Sequence, residues 1–188
     1  MKKYLSLSTA LLLGFSSLAF AHPGHGLESA YAGFMHPLTG WDHLLVMVAV
    51  GIWAVKTDEK ACWKLPLAFS LSMILGFILS FTGYRFSGVE TSVAASVMAM
   101  GLLLMVNLPI NASIRLGLVS LFAIFHGMAH GVELNMQSGL NVMTGMLIAT
   151  ALLHGVGILI GTLHTKVFQY IQNVLALCMI LLGGYALL

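Results

Sequence analysis

The stretch FHGMAHGVE, residues 125–133, sets two histidines four residues apart, with a carboxylate three residues further on. On an α-helix, at about 100° per residue, His126 and His130 lie about 40° apart and share one face. A second stretch, HPLTGWDH at residues 36–43, carries His36, Asp42 and His43. His36 and His43 are two helical turns apart, so a helix that begins at His36 presents both on one side. Pro37 then fills the first helical position, where its missing N–H costs little. Neutral imidazole suits Zn, Cu, Fe, Co and Ni, whereas Mg and Ca prefer all-oxygen cages. Two helices could thus present four imidazoles to one transition-metal ion. Asp42 and Glu133 could add oxygen ligands or orient a histidine ring from behind.

The elements that must position these groups are apolar. Of 188 residues, 59% are hydrophobic and only 7% charged, and the mean hydropathy is +0.97. A soluble domain carries about a quarter charged residues, so this composition excludes an ordinary water-facing surface and indicates an integral membrane protein. Lys2 and Lys3 precede an apolar run that ends in Ala19-Phe20-Ala21, the pattern of a cleaved secretory signal peptide over 1–21. Residues 22–37 are expected to form a periplasmic N-terminal segment with histidines, and residues 38–188 a transmembrane bundle. Six apolar runs of spanning length are expected there, near 38–55, 63–81, 89–106, 113–131, 140–162 and 167–187. The fold class is therefore an all-α integral membrane protein with six transmembrane helices.

Charge orients it. Lys56, Lys60, Lys64, Arg115 and Lys166 fall in loops of one side, and Arg85 in a loop of the other. The positive-inside rule makes the first side cytoplasmic, which gives an N-out, C-out protein of the bacterial inner membrane. Trp41, Trp53, Trp63, Tyr84 and Tyr185 near the ends of the runs fit interfacial positions. In this orientation His36, Asp42, His43, His126, His130 and Glu133 all lie toward the periplasm. Ionisable groups at membrane depth are expensive and mark function.

Other groups are secondary candidates. His154, deeper on the fifth run, could pass an ion onward. His22 and His25, in HPGHG at the mature N-terminus, could capture one. His164 at a loop reads as structural, and Met47, four residues after His43, reads as core rather than ligand. Gly127, Gly131, Gly155, Gly157 and Gly161 are small enough to let helices approach closely, and such faces also permit a homo-oligomer. Cys62 and Cys178 have no partner spacing for a disulfide framework or thiolate site. No basic cluster suggests nucleic acid, and no P-loop suggests ATP.

The two motifs, on a signal peptide plus six apolar spans, resemble those of the HupE/UreJ family. His36, Pro37, Gly40, Asp42 and His43 match its HPxxGxDH. Phe125, His126, Gly127, Ala129, His130, Gly131 and Glu133 match its FHGxAHGxE. The resemblance covers essentially the whole mature chain. It implies a nickel permease, with cobalt as the second candidate, functionally linked to the maturation of hydrogenase and urease. No catalytic residue and no prosthetic group is expected; the metal is cargo. The competing reading is an intramembrane zinc hydrolase that uses the same cluster, although HExxH is absent because residue 127 is Gly.

Overall fold

The computed structural model describes residues 30–106, 108–131, 136–163 and 166–188. The expected signal peptide, His22, His25, Glu133 and His164 lie outside the described residues. Among the described residues there is no strand. Seven α-helices follow one another: α1 (Ala30–Thr39), α2 (Trp41–Thr57), α3 (Lys64–Phe81), α4 (Val89–Met105), α5 (Ala112–Gly131), α6 (Met136–Gly161) and α7 (Lys166–Tyr185). A short 3₁₀ turn, Glu59–Ala61, joins α2 to α3.

Polar side chains cap α5 and the 3₁₀ turn, whereas α2, α3 and α4 start at Gly40, Trp63 and Gly88 without a side-chain cap. Asn111 Oδ1 accepts the backbone N–H of Ile114 at 2.9 Å ahead of α5, the bond expected of an N-cap asparagine. Asp58 Oδ1 accepts from Ala61 N–H at 3.1 Å, which nucleates the 3₁₀ turn. Four helices are long and apolar enough to cross a membrane: α3, α5, α7 and the Gly139–Gly161 part of α6. The bent pair α1–α2 supplies a fifth if it acts as one span. The 17 residues of α4 extend about 26 Å at about 1.5 Å each, short of a hydrocarbon core of about 30 Å. Over the described residues the protein is thus multi-pass and all-helical. Six apolar segments stand where they were expected, and four to five of them have spanning length.

Helix pairing follows glycine. The strongest pairs are α3 with α5, α2 with α6, α1 with α6, and α4 with α7. A Cβ on Gly127 would strike the Met73 carbonyl, and one on Gly76 the Ile124 carbonyl, so α3 and α5 touch backbone to backbone. Gly51 faces the His154 carbonyl and Gly157 the Val48 carbonyl, which seals α2 against α6 in the same way. Without a hydrophobic effect between lipid-bathed helices, such close packing is a main source of association. The packing role expected of Gly157 and Gly161 is borne out, with Gly161 set against Val55. Nothing approaches a Cβ at Gly155. Around these contacts α2 is buried from Val46 to Val55. Leu71, Leu75, Ile78, Leu159 and Leu181 stay exposed on the outside, as a lipid-facing surface requires.

Two expectations are corrected. No helix starts at His36. Residues 30–37, assigned from sequence to the N-terminal segment, belong to α1, which holds Pro37 in its interior and packs on α6. The chain then bends by 80° before α2. The bend has local causes. Pro37 has no N–H to give the carbonyl one turn back. Thr39 Oγ1 donates to the Met35 carbonyl at 3.0 Å and the His36 carbonyl at 3.2 Å, competing for the last acceptors of α1. Gly40 turns extended, with φ −78° and ψ 111°. The second correction is Trp53, which is 4% exposed and packed in the core instead of at an interface. Trp41, Trp63, Tyr84 and Tyr185 are exposed near helix ends.

Candidate metal centre

The bend at Gly40 sets His36, at the end of α1, against His43, in the first turns of α2. Their rings stand edge to face with centroids 5.1 Å apart. The two come together because the chain folds at Gly40, not because they are two turns apart on a common helix. Gly40 also leaves room for the site. A Cβ there would sit 3.1 Å from Asp42 Oδ1, 3.3 Å from the His36 carbonyl oxygen and 3.4 Å from His43 Nδ1.

The end of α5 completes the cluster. His130 lies 4.6 Å from His36 and 4.8 Å from His43, centroid to centroid. His43 Nε2 and His130 Nε2 are 2.7 Å apart, and one ligand atom from each of His36, His43 and His130 falls within a 4.8 Å spread. Two nitrogens bound to one ion at about 2.1 Å stand about 3 Å apart, so the His43–His130 pair already has ligand spacing. His43 and His130 are buried and His36 is half-buried.

Tautomers follow from the partners. Asp42 Oδ1 is 2.8 Å from His43 Nδ1, though outside the angular range of a hydrogen bond. The carboxylate favours the proton on Nδ1. His43 Nε2 then accepts, and His130 Nε2–H donates to it across the 2.7 Å contact. A carboxylate behind a histidine with its other nitrogen facing inward is the usual support for a metal-binding ring. For both Nε2 atoms to offer lone pairs to a cation, the proton on His130 Nε2 would have to leave and Nδ1 carry one instead, so that the ring stays neutral.

His126, one turn before His130, is fully buried, with its ring centroid 5.1 Å from that of His43. Its Nδ1–H donates to the Phe122 carbonyl at 2.9 Å, which leaves Nε2 as a bare acceptor without a hydrogen-bond partner. His36, His43 and His130 come together, with Asp42 against His43 and the His126 ring beside it.

Sequence similarity meets this geometry along nearly the whole chain. The pattern described as "HupE / UreJ protein" matches residues 10–187. The chain belongs to the HupE/UreJ family. Protein HupE of Rhizobium leguminosarum bv. viciae is 38% identical to it over 164 residues, 86% of each chain. No solved structure matches it.

Within this HupE/UreJ chain, His154 stands apart from the cluster. It is 2% exposed on α6, and the ring of Phe69 lies against it at 5.2 Å and against His126 at 5.8 Å. The structure thus adds Gly40 and Phe69 to the residues that shape the centre. Gly40 was visible only as a motif position, and nothing in the sequence marked Phe69. Met47 is fully buried in the core, as expected.

Proposed function

We propose that this chain is a permease that takes up a divalent transition metal, nickel first and cobalt second, through a periplasmic-side centre of His36, His43 and His130. One observation carries the reading: three imidazoles offer ligand nitrogens within 4.8 Å of one another in a multi-pass membrane protein. His126 supplies a further bare nitrogen, and Asp42 orients His43. In this reading His22 and His25 scavenge the ion and Glu133 helps to hold it; all three lie outside the described residues. Family membership, the HupE/UreJ metal-permease kind, supports the same assignment. The basic loops at Lys56, Lys60, Lys64, Arg115 and Lys166 support a centre on the opposite, periplasmic face.

The driving force needs no nucleotide. A dication moving inward gains about 4.6 kcal/mol per 100 mV of inside-negative potential. The position of Asp42 behind an imidazole suits ligand orientation better than water activation, and so favours transport over a hydrolase. The test is radiolabelled nickel uptake by cells expressing the full chain. Uptake should fall on acidification, because protonated imidazole cannot ligate. It should be lost in His130→Ala at equal membrane abundance. Uptake unchanged by both His130→Ala and Asp42→Asn overturns the proposal, and hydrolysis of a lipid amide without metal flux replaces it with the enzyme.

A further inference from the structure

We propose that His154, Thr150 and Met47 form a second cation station inside the bundle, divided from the three-histidine centre by the ring of Phe69. His154 is the starting point. It is 2% exposed, and neither Nδ1 nor Nε2 has a hydrogen-bond partner. An imidazole in that position is costly, because a buried donor or acceptor left unmade forfeits its hydration. A hydrocarbon side chain of similar size would avoid the cost, so the polar ring calls for a ligand.

Its surroundings supply one kind of chemistry. Thr150, one turn earlier on α6, is fully buried and donates its hydroxyl to Met47 Sδ at 3.3 Å. Met47 lies one turn beyond His43 on α2, and α2 meets α6 beside His154, where Gly51 faces the His154 carbonyl. The step from one station to the other is thus one turn of α2. Phe69, fully buried, stands edge to face with both His126 and His154. Its ring thus lies between His126, beside the outer centre, and the inner station.

The inner donor set is imidazole nitrogen, hydroxyl oxygen and thioether sulfur, with no carboxylate. It suits borderline and soft ions and offers hard Mg and Ca little. Neutral donors also hold a dication loosely, as conduction through successive sites demands. The station rests on the permease reading for its role in flux, but its existence can be measured separately.

The experiment measures nickel binding to the purified full-length chain by equilibrium dialysis of radiolabel, and nickel uptake by the same protein in liposomes. The wild type should bind two ions per chain. His154→Leu should bind one, keep its remaining affinity within about twofold, and transport about tenfold more slowly. Met47→Leu and Thr150→Val, which preserve volume, should each slow transport with the outer site intact, and they carry the test if His154→Leu does not fold. One ion per chain in the wild type, with His154→Leu unchanged in binding and flux, overturns the station and makes His154 a packing residue. Two ions per chain, reduced to one by His154→Leu, with no flux in any variant, would uphold the station and refute the permease.

Discussion

The two ends of α2 both carry polar groups, yet they handle them in opposite ways. At the Lys56 end, donors meet acceptors. Lys56 Nζ donates to the Leu104 carbonyl at 3.3 Å and Gln172 Nε2 donates to the same oxygen at 2.8 Å. At the Gly40 end, acceptors outnumber donors. His43 and His130 face each other through nitrogens that share a single proton, with His126 Nε2 bare beside them. Paired groups of the first kind stabilise the bundle and ask for nothing more. The protein leaves His126 Nε2 without a partner, so under the proposed function the same helix is structural at one end and receptive to a cation at the other.

Substitutions can break or sharpen this contrast. The largest effect belongs to His130→Ala, which removes the ring that faces both His36 and His43; nickel uptake should fall about 100-fold at unchanged abundance in the membrane. Asp42→Asn keeps the shape but withdraws the charge that holds the proton on His43 Nδ1. Affinity for nickel, read by equilibrium dialysis, should drop about tenfold. Gly40→Val places carbon against Asp42 Oδ1, the His36 carbonyl and His43 Nδ1. It should weaken nickel binding about fivefold through displaced ligands, with little change in thermal stability. At the other end, Gln172→Leu removes one of two donors to the Leu104 carbonyl. The melting temperature of the purified chain should fall by an amount corresponding to about 1 kcal/mol, with uptake within about twofold of wild type. A larger loss of uptake in Gln172→Leu than in Gly40→Val would erase the distinction between the two ends.

Much of this was readable in advance, and the reasons are specific. Helix positions were legible because lipid demands long apolar runs and the breaks carry Asn, Asp, Gly and Lys, as at Asn111 and Asp58. The histidine cluster was legible because histidines and acids have no cheap role at membrane depth. The bend was not, because Pro37 fits a helix start as well as a helix interior, and only the packing of Gly33 and Gly145 between α1 and α6 decides between them. The burial of Trp53 was hidden for a similar reason. Its place near the end of an apolar run is the same whether the surrounding medium is headgroup or protein. Phe69 carried no signal at all, since a phenylalanine among leucines and isoleucines on α3 reads as lipid-facing until its neighbours are known.

X-ray absorption at the nickel edge, on purified full-length chain holding less than one nickel per molecule, reads the ligands of the bound ion. Ring scattering from the imidazoles of His36, His43 and His130 is expected, with a clear loss of that scattering in His130→Ala. A shell of oxygen alone, identical in the wild type and in His130→Ala, would contradict a three-histidine centre.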